Sequence, residues 1–187
     1  MKTVRIKEKQ MNTSTNYEFK TADLCDDFFD KEFDDQRSLQ ICQPIFQDFG
    51  GRISFQGKIH TILCFEDNSR VREAVFTNGR DEEGKSKVLV VDGGGSLRHA
   101  LMGDMLAAKA HENGWAGVII NAPIRDSEEI GKLNLGVKAL CIFPLKSNKK
   151  GLGDHHVPLS FAGVVFNDGD YVYADEDGIL CSPVSLF

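Results

Sequence analysis

The chain has little positive charge. Its 22 lysines and arginines are outnumbered by 28 acids, giving a formal net charge of −6. A nucleic-acid-binding surface normally shows a basic stripe, so direct contact with nucleic acid is not expected, whereas a basic protein partner is compatible with the charge. Long hydrophobic runs are missing too. No stretch reaches the roughly 18 apolar residues of a membrane span, and there is no signal-peptide hydrophobic region. Cysteine is sparse and unpatterned: Cys25, Cys42, Cys64, Cys141 and Cys181 are odd in number, scattered, and never in CxxC spacing. They read as reduced, buried thiols of a cytoplasmic protein. The end Ser185-Leu186-Phe187 does not match the peroxisomal tripeptide.

What is present suits a soluble globular fold. With 187 residues, 41% hydrophobic and 27% charged, the chain fits one domain that buries about 70% of its unfolded surface. Residues 1–20 are polar without apolar periodicity and read as a disordered extension, leaving residues 21–187 as a single domain. The organising stretch lies in the middle. Val88-Leu89-Val90-Val91 is a short apolar run expected of a strand covered on both faces. Asp92-Gly93-Gly94-Gly95-Ser96 is a glycine turn. Residues 103–110 are rich in helix formers and are stopped by Asn113-Gly114. Ala116-Gly117-Val118-Ile119-Ile120-Asn121 is the next strand, and Arg125-Asp126 sits just beyond its C-terminal end, where open α/β folds bind ligands.

On either side the pattern changes. Thr21 reads as the N-cap of a short acidic helix whose acids run on through Asp30, Glu32, Asp34 and Asp35. That segment is a solvated face or a dock for a basic partner. Gln43-Pro44-Ile45-Phe46 suggests an edge strand. Residues 53–55 and 58–65 flank Gln56-Gly57 as a hairpin. Asp67-Asn68-Ser69 caps a helix that ends at Asn78-Gly79. A short helix is expected over residues 127–133 and a strand over 136–143. The following loop, with Lys146, Lys149 and Lys150, is a solvated loop or an anion-binding patch. The last third alternates apolar and polar residues around Asn167-Asp168-Gly169 and Asp177-Gly178, as antiparallel strands do. The expectation is an α/β domain with a mixed central sheet and a second antiparallel sheet.

The stretch VLVVDGGGSLRHALMGDMLAAKAHENGWAGVIINAPIRD resembles the family of the regulator of ribonuclease activity A, which also holds metal-dependent aldolases for 4-hydroxy-4-methyl-2-oxoglutarate. Its signature is an Asp, twenty residues, then Arg-Asp; Asp104 and Arg125-Asp126 fit it. The resemblance continues through Gly151-Leu152-Gly153 and Tyr173-Ala174-Asp175-Glu176-Asp177-Gly178, and back to Phe49-Gly50-Gly51-Arg52, covering roughly residues 21–182. It implies a swivelling β/β/α architecture and a homotrimer, or a hexamer of paired trimers.

For the site, the residues and the resemblance give different weights. By position alone, Asp104 is a first-turn carboxylate favoured by the helix dipole, and Asp126 caps the next helix with Glu129 completing a capping box. The resemblance instead implies that Asp126 ligates Mg²⁺ or Mn²⁺ and that Asp104 holds a water. Arg125 then stabilises an enolate oxygen, and the backbone of Gly103, Asp104, Met105 and Leu106 receives a substrate carboxylate. The implied activity is that of a divalent-metal-dependent lyase on small 2-oxo acids. The chain lacks the C-terminal extension of the longer aldolases, which favours oxaloacetate decarboxylation over aldol cleavage. The other reading is a non-catalytic protein that binds and inhibits a ribonuclease of the ribonuclease E type.

Three rival sites are weaker. The glycine turn lacks the third glycine of GxGxxG, where Arg98 stands, and has no P-loop lysine. Without a cofactor fingerprint, a methyltransferase is also rejected. His155-His156 point opposite ways if the segment is extended. Cys141 has no histidine partner in sequence.

Overall fold

The computed structural model describes residues 19–29 and 39–187. Most of the expected N-terminal extension and the acids from Asp30 to Asp35 lie outside the described residues.

The elements in order are α1 (Thr21–Phe29), β1 (Gln40–Ile41), β2 (Gln47–Asp48), β3 (Phe55–Leu63), α2 (Ser69–Val75), β4 (Val88–Asp92), α3 (Asp104–Glu112), β5 (Gly117–Asn121), α4 (Ser127–Gly131), β6 (Gly136–Ala139), β7 (Asp154–His155), β8 (Leu159–Phe161), β9 (Val164–Phe166), β10 (Tyr171–Ala174) and β11 (Ile179–Ser182). Nine strands form one mixed sheet in the order β1-β11-β10-β3-β4-β5-β6-β2, with β7 added to β3; β8 and β9 form a separate antiparallel pair. The centre, β3 to β6, is parallel. Both expected sheets are therefore present, but β10 and β11 extend the large one instead of joining β8 and β9.

Strand β3 joins the antiparallel and parallel parts of the sheet. Its first half pairs antiparallel with β10 and its second half parallel with β4. The expected hairpin at Gln56-Gly57 is absent, because both residues lie inside one continuous strand. Gly57 is needed for close approach rather than for turning: a Cβ there would press on the backbone of Ser86 and Lys87.

Strands β4 and β5 are buried on both faces, as their apolar runs require. Leu89, Val91, Val118 and Ile120 face the helices, packing with Val71 and Val75 of α2, Leu106, Ala107 and Ala110 of α3, and Ile130 of α4. Val88, Val90 and Ile119 face the other way, onto Leu159, Val164, Phe166, Val172 and Ile179 of the β layer. The layers are thus β/β/α around a doubly covered sheet. Truncating one of these side chains to alanine costs about 2–5 kcal/mol.

Local signals decide the ends. At the end of α3, Gly114 takes φ +84°. Trp115 N–H donates to the Ala110 carbonyl and Gly114 N–H to that of His111. These two bonds form a Schellman C-cap, which the Asn-Gly pair anticipated. Thr21 is not the expected N-cap. It is the first residue of α1, and its N–H and hydroxyl both donate to the buried Asp175 carboxylate at 2.6 Å. Pro44 lies between β1 and β2 rather than in a strand, in a bend where Ile45 N–H donates to the Gln43 carbonyl. Strand β6 stops at Ala139, short of Phe143, because Ile142 leaves the ladder and pairs instead with Ile124.

Candidate functional site

Two strand ends and two helix starts meet at one place. After β4, the Asp92 carboxylate accepts from Gly94 N–H and from the Asn121 amide, both at 2.8 Å. This closes the glycine turn on the end of β5. The chain then runs to Leu101 and Met102, which lie beside the segment after β5: Leu101 N–H donates to the Pro123 carbonyl at 3.0 Å, and Arg125 N–H to that of Met102 at 2.9 Å. These bonds set Gly103-Asp104 against Arg125-Asp126.

Asp126 does not cap α4. It stands at the N-cap position with φ +56° and makes no side-chain bond to that helix. Glu129 pairs with Lys132 instead of reaching back. The capping-box reading is therefore corrected. The left-handed backbone, which aspartate tolerates better than most residues, swings the carboxylate toward α3. There Oδ2 accepts from Asp104 N–H at 3.4 Å and faces Arg125 Nε at 3.2 Å. A backbone strained in this way, turning a polar group outward, is a recurrent feature of functional sites. A Cβ on Gly103 would lie 2.6 Å from Asp126 Oδ2 and 3.1 Å from Arg125 Nε, so any larger residue there would push these side chains from their positions.

Gly103, Asp104, Met105, Leu106 and Arg125 all line a cleft of about 110 Å³. Pockets for drug-sized ligands run about 300–1,000 Å³, so this space suits a small acid. Its other walls include Arg72, Lys146 and Lys149, which gives the cleft a cationic rim. Two buried atoms in its lining, Asn68 Oδ1 and Ser147 Oγ, have no protein partner, and such atoms call for a ligand or water. The anion-patch alternative for the lysine loop thus has a physical basis for Lys146 and Lys149. Arg72 and Asn68 were missed in the sequence because nothing local marks them: they come from α2 and the residue before it, brought in by the fold.

Asp67 holds this loop in place. Its Oδ1 accepts from Ser69 N–H at 2.9 Å and its Oδ2 from Lys150 N–H at 2.5 Å. Burial pushes the Asp67 carboxyl up, but these hydrogen bonds outweigh it and hold the group below its ordinary value.

The donor set fits a hard divalent cation. Asp126 Oδ2 is shared between Asp104 N–H and Arg125, while Oδ1 has no hydrogen bond among the described residues. A partly exposed carboxylate with one oxygen unengaged, and waters filling the remaining positions, is how Mg²⁺ and Mn²⁺ are commonly held.

Elsewhere, a larger cavity of about 550 Å³ opens around Gln56, Lys58 and Tyr171 and contains none of the residues named for the site. The histidine pair differs from expectation. His156 has φ +57°, so the segment is not extended there and both rings turn toward His60. Their centroids lie 5.6 Å (His155) and 4.6 Å (His156) from that of His60. Cys42, Cys64 and Cys181 are buried and Cys25 and Cys141 half-buried, all free. Burial pushes the three buried thiols up to about 12, so they are inert at neutral pH. Among the described residues, no helix is long and apolar enough to cross a membrane.

The architecture is that of an α/β protein with a cleft where its parallel strands end, the place where such folds take ligands. The model of the family described as "RraA-like: Aldolase/RraA" matches residues 21–181, and the chain belongs to that family. A protein of Alkalilimnicola ehrlichii, provisionally named a 4-hydroxy-4-methyl-2-oxoglutarate aldolase, is 52% identical over 166 residues, covering 89% of this chain and 96% of the relative. A Geobacillus kaustophilus structure titled as an S-adenosylmethionine:2-dimethylmenaquinone methyltransferase is 49% identical with TM-score 0.81, covering 90% and 97% of the two chains. The structure of the RNA-processing inhibitor RraA from Thermus thermophilis is 41% identical with TM-score 0.79, covering 89% and 93%.

Proposed function

We propose that the protein is a divalent-metal-dependent carbon–carbon lyase acting on small 2-oxo acids. One observation carries this reading. The α3 N-terminus and Arg125 line a single cleft with cationic walls, and the outward-turned Asp126 carboxylate lies against both of them, 3.4 Å from Asp104 N and 3.2 Å from Arg125 Nε.

Asp126 would hold Mg²⁺ or Mn²⁺, which supplies positive charge to the keto oxygen and carboxylate of a bound 2-oxo acid. The chain's own groups do the rest. The first-turn N–H groups of Met105 and Leu106 have no partner within the helix and receive a carboxylate, helped by Lys146 and Lys149. When the C3–C4 bond breaks, C4 leaves as carbon dioxide, or in retro-aldol cleavage as a ketone once its hydroxyl has given up a proton, and the electron pair stays on the 2-oxo fragment as an enolate. Arg125 donates to the developing negative oxygen with a fixed fork. A water held by the Asp104 carboxylate gives the proton that C3 takes up.

Decarboxylation of oxaloacetate and retro-aldol cleavage share this enolate. Chain length does not separate them, because the Alkalilimnicola relative, which this chain covers over 96% of its length, carries the aldolase name. The test is pyruvate release from oxaloacetate, with Mg²⁺ or Mn²⁺, above the rate of metal alone.

A second reading, binding to a ribonuclease of the ribonuclease E type, is favoured by the likeness to the Thermus RNA-processing inhibitor. It makes no use of the Asp104–Asp126 arrangement. For assembly we propose a homotrimer, or a hexamer of paired trimers. Phe65, Leu97, Met105, Ile142, Leu145 and Leu152 are each more than half exposed on segments that adjoin the glycine turn and the cleft, and such side chains favour association.

A further inference from the structure

Three of the five histidines gather where β7 joins β3, outside the cleft. His60 lies mid-way along β3, level with Leu89 of β4. His155 is in β7, paired with Ile62, and His156 follows it, with its N–H donating to the Thr61 carbonyl at 3.1 Å. Asp168 belongs to the turn between β9 and β10. Its Oδ1 accepts from Thr61 N–H at 3.0 Å and its Oδ2 pairs with His156 Nδ1 at 2.8 Å. One nitrogen or oxygen from each of His60, His156 and Asp168 falls within 4.8 Å of the others, and this is the group of three potential ligands found among the described residues.

We propose that His60, His156 and Asp168 form a binding site for a first-row transition-metal ion of the Zn²⁺ class. Two imidazoles and one carboxylate are a donor set that suits Zn²⁺ and not Mg²⁺. With bonds of 2.0–2.2 Å, ligand atoms around a tetrahedral ion lie about 3.3 Å apart. The outer two ligands can close that gap by side-chain rotation, since His156 and Asp168 are both exposed. The ion would lie between His156 Nδ1 and Asp168 Oδ2, which stand 2.8 Å apart without it. A neutral His156 ring that ligates through Nδ1 carries its proton on Nε2, and a water completes the coordination.

The surroundings support a ligand role. His60 is half-buried on β3, with its ring centroid 4.6 Å from that of His156. His155 stands behind it, with Nδ1 3.3 Å from His60 Nε2 and Nε2 3.3 Å from Glu73 Oε2. A carboxylate linked through an imidazole is the kind of outer partner that orients a ligand ring. His156 keeps its left-handed backbone and its bond to Thr61 to face the cluster. The ion joins β3, the end of β7 and the β9–β10 turn, and so anchors the C-terminal end of the loop that carries Lys146 and Lys149.

The test uses the full chain, stripped with chelator and titrated with Zn²⁺ by calorimetry and thermal melting, and with Co²⁺ by visible absorption. The expected result is about one Zn²⁺ per chain, a raised Tm, and Co²⁺ bands without thiolate charge transfer. His156→Asn tolerates the left-handed backbone and removes a ligand, so affinity falls about 100-fold, at least the loss seen for outer-shell partners. Asp126→Asn leaves Zn²⁺ affinity unchanged. Absence of Zn²⁺ binding by the unmodified protein, wild-type affinity in His156→Asn, or a thiolate band with Co²⁺ each overturn the assignment.

Discussion

The Asp126 carboxylate accepts from the backbone N–H of Asp104 at 3.4 Å, 22 residues back in the chain. The spacing in the sequence is thus a spatial contact. A positive φ at Asp126 and a glycine at 103 both serve it, and each can be tested separately.

Gly103→Ala puts a methyl group 2.6 Å from Asp126 Oδ2. The carboxylate and Arg125 must move, and a displacement near 1 Å costs about 100-fold in rate. Oxaloacetate decarboxylation should fall on that scale with little change in Tm, since Gly103 lies outside the helix and its backbone is extended. Gly131→Ala is the control: its Cβ would meet nothing nearer than 3.6 Å. Turnover of that variant should match wild type. Equal turnover in both variants would show that the 103–126 approach has no catalytic meaning.

Asp67 gives a prediction about pH. Its folded carboxyl is held below the ordinary value of 3.8. Its contribution to stability is therefore present above about pH 4 and is lost as the pH falls through the folded value. Asp67→Ala should cost about 2 kcal/mol near neutrality, the scale of bonds to a charged group, and should raise KM by freeing Lys146 and Lys149. The gap in stability between wild type and variant should narrow below pH 4. A gap that widens there would contradict the arrangement.

Much of this was legible in the sequence. The runs at Val88 and Gly117 marked doubly buried strands, Asn113-Gly114 marked the end of α3, and the spacing of Asp104 and Arg125-Asp126 marked residues that the fold brings together. What escaped depended on tertiary contact. Gln56-Gly57 looks like a turn, yet Gly57 is there for the backbone of Ser86 and Lys87. Thr21 looks like a cap, yet it serves Asp175, 154 residues away. Asp126 followed by Glu129 looks like a capping box, yet Asp126 takes a left-handed backbone and turns away from α4, and Glu129 pairs with Lys132. His60 carries no local signal at all, because its partners arrive from β7 and the β9–β10 turn.

Assembly is checked by light scattering. The exposed apolar side chains near the cleft, Met105 and Leu145 among them, should be covered in a trimer or hexamer. A monomer across micromolar concentrations would contradict this.

Ribonuclease binding, if it runs through the acidic surface from Asp26 onward, should weaken steeply as salt rises. Tight binding that ignores salt would place the contact elsewhere on the protein.

The most direct measurement is metal-dependent pyruvate release from oxaloacetate by Asp126→Asn, at saturating Mg²⁺ or Mn²⁺, beside Asp126→Ala. Asparagine keeps the shape and tolerates the left-handed backbone, so its Tm and oligomer size should stay near wild type. Alanine does not, and should cost about 1 kcal/mol. Both remove the charge that holds a hard cation, so both should lose at least about 100-fold in rate, the scale of one strong electrostatic contributor. Wild-type turnover in Asp126→Asn would remove the metal site, and with it the roles given to Asp104 and Arg125.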